Sequence, residues 1–111
     1  MIAVFAALSA AVAIGASAFG AHAASSPQAA EWLRTGGLYQ LIHAVAVLAL
    51  LRFPVGSGTS WALLGGSVLF AATLYAMALG APSWLGAVTP IGGTIMILGW
   101  LWLAWKLARA A

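Results

Sequence analysis

Residues 1–20, MIAVFAALSAAVAIGASAFG, contain no charged side chain. Twenty residues of α-helix rise about 30 Å, the thickness of the hydrocarbon core of a bilayer. The stretch therefore reads as one complete membrane crossing. Three further runs have the same character, 37–51, 61–79 and 90–105, and none contains Asp, Glu, Lys or Arg. The second is short, but Arg52 closes it with a side chain long enough to reach the interface. With their flanks, the runs predict spans at 1–22, 36–52, 59–79 and 89–107 of one membrane domain covering 1–111. The predicted fold class is all-α, an integral membrane four-helix bundle.

Composition points the same way. Of 111 residues, 65% are apolar and 5% are charged, where a soluble domain carries about 25% charged residues. The mean hydropathy is +1.11. The five charged side chains, Glu31, Arg34, Arg52, Lys106 and Arg109, cannot cover a soluble surface. A soluble enzyme, a nucleic-acid binder and a disordered chain are thereby excluded. The cations are single and scattered, without the run or stripe that binds nucleic acid. No cysteine is present, which removes disulfides, thiolate nucleophiles, Cys-ligated zinc and iron–sulfur clusters. Glu31 is the only acid, so no pair of carboxylates exists for hydrolysis or a hard metal ion. The chain is expected to be no enzyme and to hold no cofactor. Its predicted partner is the lipid bilayer.

Punctuation separates the runs. Ser26-Pro27 reads as an N-cap followed by proline at the first helical position, starting a short interfacial segment, 27–34, before Gly36-Gly37 loosens the backbone. Gly56-Ser57-Gly58 forms a turn, Gly80-Ala81-Pro82 ends the third span, and Thr89-Pro90 starts the fourth. Ala21-His22-Ala23 resembles a signal-peptide cleavage site. No Lys or Arg precedes the run, however, and its length suits a full span, so a retained helix is expected. With four spans, Arg52, Lys106 and Arg109 share one side with both termini, and Arg34 lies on the other. The positive-inside rule then predicts cytoplasmic termini. Trp32 and Trp84 fall near the outer boundary, and Trp61, Trp102 and Trp105 near the inner one.

Lipid tails are as apolar as leucine, so small residues that allow close backbone contact, rather than leucines, mark helix interfaces. Ala11, Gly15, Ala18 and His22 form a helical stripe, with Gly20 close by. Gly92, Met96, Gly99 and Leu103 form another, and Leu69, Ala72 and Ala76 a third, with Gly65 one turn below. These glycines, with Gly93 and Trp100, are expected to be packing contacts. Such faces leave self-association, or a membrane-protein partner, open.

Polar groups in hydrocarbon need partners. Tyr39, Gln40 and His43 lie within one turn of the second span, and His22 extends the first stripe. Tyr75 and Thr73 close the third span, while Thr89 and Thr94 open the fourth. The topology places these ends together, which predicts one polar cluster in the outer half of the bundle. Its simplest role is a hydrogen-bonded clamp on helix register. A second is a proton relay or small-molecule pocket using His22, Gln40 and His43, since histidine titrates near neutral pH. A third is haem or metal ligation by the two histidines, which no CxxCH or HxxxH pattern supports. Thr73 and Thr94 are expected to bond to their own helices. Thr89-Pro90-Ile91-Gly92-Gly93 reads as a helix start packed through its glycines, in preference to an anion site.

The motifs together resemble one family. Gly15-Ala16-Ser17-Ala18-Phe19-Gly20-Ala21-His22 is similar to its GAFGAH signature, Tyr39-Gln40-Leu41-Ile42-His43-Ala44 to its YQxxHA motif, and Leu74-Tyr75 to its LY pair. Thr89-Pro90-Ile91-Gly92-Gly93 with Gly99-Trp100 resembles its TPIGG…GW ending. This is the domain of unknown function 423 family, small membrane proteins also described as transmembrane protein 256-like. The resemblance covers nearly the whole chain. It implies a compact multi-span protein of bacterial inner membranes and supplies no established activity. Carried over are His22, Tyr39, Gln40, His43, Pro90, Gly92, Gly93 and Trp100. The chain departs from the pattern after His22, where Ala23-Ala24-Ser25-Ser26 replaces glycine, leucine and a basic residue, and at an extra serine, Ser17, in the first motif.

Overall fold

The computed structural model describes residues 1–110. Four long helices carry the chain: α1 (Ile2–His22), α2 (Pro27–Leu50), α3 (Gly58–Ala78) and α4 (Thr89–Ala110). A five-residue 3-10 helix, Ser83–Ala87, joins α3 to α4. Each long helix has the length and apolarity to cross a membrane, and no strand occurs among the described residues. The protein is an all-α, four-helix membrane bundle, 48 Å along its longest axis.

The helix starts and stops follow local chemistry. Ser26 is extended, and its hydroxyl accepts the Ala29 N–H at 3.0 Å, with Pro27 as the first helical residue. Gly80 takes φ +104° just past α3, and Gly56 takes φ +73° in the α2–α3 loop. Both values lie in the left-handed region, where a Cβ is strained.

The separate interfacial segment and the loosening expected at Gly36-Gly37 do not occur, because α2 runs unbroken from Pro27 to Leu50. The two glycines serve contact instead. A Cβ on Gly37 would run into Ser17 and, at 3.0 Å, the Ala13 carbonyl of α1; one on Gly36 would sit 2.7 Å from the Tyr75 ring of α3. Adjacent helical positions point about 100° apart at 3.6 residues per turn. The pair thus lets α2 hold a helix closely on each of two sides. A glycine inside a helix costs about 1 kcal/mol, which these contacts offset.

Neighbours in sequence are neighbours in space. α1 packs on α2, α2 on α3 and α3 on α4, and no α1 residue comes within 8 Å of α4, Cα to Cα, among the described residues. The pair α2 and α3 is therefore internal, with α1 and α4 on its flanks. The α4 stripe of Gly92, Met96, Gly99 and Leu103 is buried as expected. At its upper end the backbones of α3 and α4 nearly touch: a Cβ on Gly92 would lie 2.6 Å from the Phe70 nitrogen and 2.7 Å from the Gly66 carbonyl.

The α1 stripe is different from expectation. Ala11, Gly15, Ala18 and His22 face outward, and Ala6, Ser9, Ala13 and Gly20 are buried instead. Small residues occur all round α1, so both stripes fit the same spacing and only the partner helix selects one. On α3, Gly65, Leu69, Ala72 and Ala76 likewise do not form a buried contact face, since Gly65 and Ala72 are exposed and Leu69 and Ala76 half-buried. The core has two apolar layers. One gathers Ala6, Val47, Leu50, Val55, Leu63, Leu64 and Leu103 at the end holding both termini, and the other gathers Ala29, Leu33 and Ala78 at the opposite end.

Candidate functional site

Between those layers lies a polar one, and α2 supplies its centre. Gln40 and His43 are three residues apart, share a face of α2, and are each 4% exposed. The Gln40 amide nitrogen donates to Ser9 Oγ of α1 at 2.9 Å. Its amide oxygen accepts from Tyr75 OH of α3 at 2.6 Å. One side chain thus ties three helices together.

His43 links the remaining helix. Trp100 Nε1 of α4 donates to His43 Nε2 at 2.9 Å, with the rings edge to face, centroids 5.7 Å apart. His43 Nδ1 lies 2.7 Å from the Tyr39 carbonyl one turn earlier. An indole N–H can only donate and a carbonyl can only accept. Nε2 therefore carries the lone pair, Nδ1 carries the proton, and the ring is the neutral Nδ1–H tautomer. Both nitrogens are in use. A metal or haem iron at Nε2 would have to displace the indole, and a proton there would break the same bond.

The bilayer makes these bonds count. Hydrocarbon offers no competing water, and apolar burial does not drive one membrane helix onto another. Interhelical hydrogen bonds in membranes contribute about 0.6 kcal/mol on average and up to ~1.7. The three here, Ser9–Gln40, Gln40–Tyr75 and His43–Trp100, together stabilise the arrangement by about 2–5 kcal/mol.

Of the eight residues expected in one cluster, Gln40, His43 and Tyr75 do gather. The other five do not join them. His22 is exposed at the last turn of α1. It is far from His43, which lies sixteen residues into α2, about 24 Å along the helix. The Tyr39 side chain is 44% exposed and leans on Phe70, ring centroids 5.1 Å apart. Thr89 forms a separate contact at the α3–α4 end, its hydroxyl 2.7 Å from that of Thr73, which in turn donates to the Phe70 carbonyl. Thr94 bonds to the Pro90 carbonyl of its own helix. The network also sits near mid-length of α2. The predicted span starts at residue 36, whereas the helix begins nine residues earlier, at Pro27.

The packing residues divide as well. Gly92, Gly99 and Gly20 meet neighbours closely, with Gly20 against Leu33 and Gly99 against Leu63. Gly93 has only Phe70 near, at 3.9 Å, and Gly15 has open space. Trp100 belongs to the polar layer rather than to packing. Sequence reasoning missed Ser9. Its one available signal was a hydroxyl inside an otherwise apolar stretch of span, since such a group needs a partner.

Beside the network, α1 and α3 stand apart over α2. They leave a groove of about 680 Å³ walled by Phe5, Val12, Trp61 and Val68, with Ser9, Gln40 and Tyr75 also lining it. No group of three His, Asp or Glu side chains that could hold a metal ion occurs among the described residues.

Comparison with known proteins agrees with the motif resemblance. The profile of a family described as "Protein of unknown function (DUF423)" matches residues 16–93. The chain is 39% identical to a UPF0382 membrane protein of Haemophilus influenzae, with 85% of this chain and 81% of that protein covered. It is 37% identical to the UPF0382 membrane protein YwdK of Bacillus subtilis, covering 86% and 85%. It is 35% identical to the UPF0382 inner membrane protein YgdD of Escherichia coli, covering 87% and 81%. No solved structure matches. The chain belongs to the DUF423 family.

Proposed function

We propose that this DUF423 protein is a non-enzymatic structural or accessory component of the membrane, and that its polar layer is a clamp holding the four helices in register. The observation that carries this reading is the use of the donors and acceptors. Gln40 bonds to α1 and α3, and His43 bonds to α4 through one nitrogen and to its own helix through the other. Little of the network is left to act on a substrate. The relatives' names support an inner-membrane location. The cation bias, Arg52, Lys106 and Arg109 against Arg34, supports cytoplasmic termini. Reporter fusions after Ala111 and within the α3–α4 connection at Ser83 test that orientation; a periplasmic reporter active at Ala111 overturns it.

A second reading rests on the groove. Its apolar walls and polar lining suit a membrane-dissolved small molecule with one hydrogen-bonding group. It would use Gln40 and Ser9, without either histidine. One experiment separates the readings. Organic extracts of purified wild type and Gln40→Leu are compared for bound small molecules. The clamp predicts the same bulk lipids in both, alongside lower stability of the variant. A compound enriched with wild type and lost from Gln40→Leu would overturn the clamp in favour of the pocket.

A further inference from the structure

We propose that the end of the bundle holding both termini carries a binding site for the phosphate of an anionic phospholipid, formed by Lys106 and Arg109 of α4 against the α2–α3 loop. A cavity of about 410 Å³ opens there, bounded by Pro54, Val55 and Gly56 of the loop and by Trp105, Lys106 and Arg109.

The two cations are held in position. Lys106 Nζ donates to the Val55 carbonyl at 3.0 Å and lies 5.0 Å above the Trp102 ring. One of its three N–H groups is used by that bond, leaving two for a ligand. The Arg109 guanidinium lies 5.1 Å above the Trp105 ring. It is exposed and makes no hydrogen bond to a protein atom among the described residues.

Charge complementarity identifies the ligand. The chain's one acidic side chain, Glu31, is at the opposite end and paired with Arg34. Arg52, Lys106 and Arg109 therefore face no acidic side chain. The last turn of α4 contributes about half a negative charge, which two full cations outweigh. Nearby, α3 begins at Gly58 with no side-chain cap on its first N–H groups, adding partial positive charge. The level of the site points to lipid rather than to a soluble anion. Trp102 and Trp105 are amphipathic side chains of the interfacial belt, and Trp105, 56% exposed, forms one wall. A ligand here has its charged group on Lys106 and Arg109 and its apolar part along the exposed face of α4.

The test is native mass spectrometry of the full chain released from detergent. The probes are phosphatidylglycerol, phosphatidylcholine of identical acyl chains and, separately, inorganic phosphate. Phosphatidylglycerol should be retained over phosphatidylcholine. Lys106→Gln and Arg109→Gln should each lower that preference about fivefold, the factor corresponding to roughly 1 kcal/mol per basic residue at an anionic surface. Arg34→Gln should leave it unchanged. If loss of the Val55 bond destabilises Lys106→Gln, Arg109→Gln carries the test alone. Equal retention of the two lipids overturns the proposal, as does a preference that survives Arg109→Gln. Displacement of the lipid by inorganic phosphate reassigns the site to the free anion and overturns the lipid assignment.

Discussion

Gln40→Leu, Tyr75→Phe and the double variant form a cycle that isolates the bond between α2 and α3. Leucine approximates the volume of glutamine, and phenylalanine keeps the tyrosine ring against Gly36, so packing changes little. Gln40→Leu removes two hydrogen bonds and strands Ser9 Oγ, on a residue 6% exposed. At about 0.6–1.7 kcal/mol per interhelical bond, it should destabilise the protein by about 1–3 kcal/mol. Tyr75→Phe removes one bond and should cost about 0.6–1.7 kcal/mol. That bond is broken in both single variants and can be lost only once. The double variant should therefore be more stable than the sum of the two by the same 0.6–1.7 kcal/mol or so. Reversible unfolding in mixed detergent micelles, followed by circular dichroism, measures all three. Additivity within about 0.3 kcal/mol would mean that the 2.6 Å contact contributes nothing to register, and the clamp would be refuted.

Trp100→Phe keeps an aromatic ring beside His43 but removes the donor to Nε2; the same unfolding assay should show a loss of about 0.6–1.7 kcal/mol. Gly92→Ala forces a Cβ onto the Phe70 and Gly66 backbone and should cost about 1–3 kcal/mol. Gly15→Ala meets nothing within 4 Å and should be neutral or stabilising by up to ~1 kcal/mol; the two variants are best measured side by side. Thr59 is fully buried, and its hydroxyl has no hydrogen-bond partner among the described residues. Thr59→Val, close to it in shape, should raise the melting temperature in detergent, because an unsatisfied buried hydroxyl is unfavourable.

Much of this was open to reading before any contact was known. Each crossing is visible because transfer from water to hydrocarbon is a property of a segment by itself. The α2 start was legible because Ser26 and Pro27 carry their meaning locally. Gln40 and His43 stood out because a polar group in an apolar run must find a partner. The α4 face was readable because small residues repeat there on one stripe. The partners were another matter: Ser9 is 31 residues from Gln40 in sequence, and Trp100 is 57 from His43. His22, sharing a stripe with Gly15, turned outward. Gly36 and Gly37, which in isolation weaken a helix, are where α3 and α1 approach α2 closely.

Sequence alone established that four helices cross the membrane and that α2 brings hydrogen-bonding groups into it. Tertiary structure decided which face of each helix meets which neighbour, and so whether a given glycine is a contact or a gap and which side chains complete the polar layer. The reason is physical. In water an apolar stripe points inward and betrays the buried face; in lipid every apolar face is equally at ease, so helix pairing follows from shape and hydrogen bonding between segments, which no single segment displays.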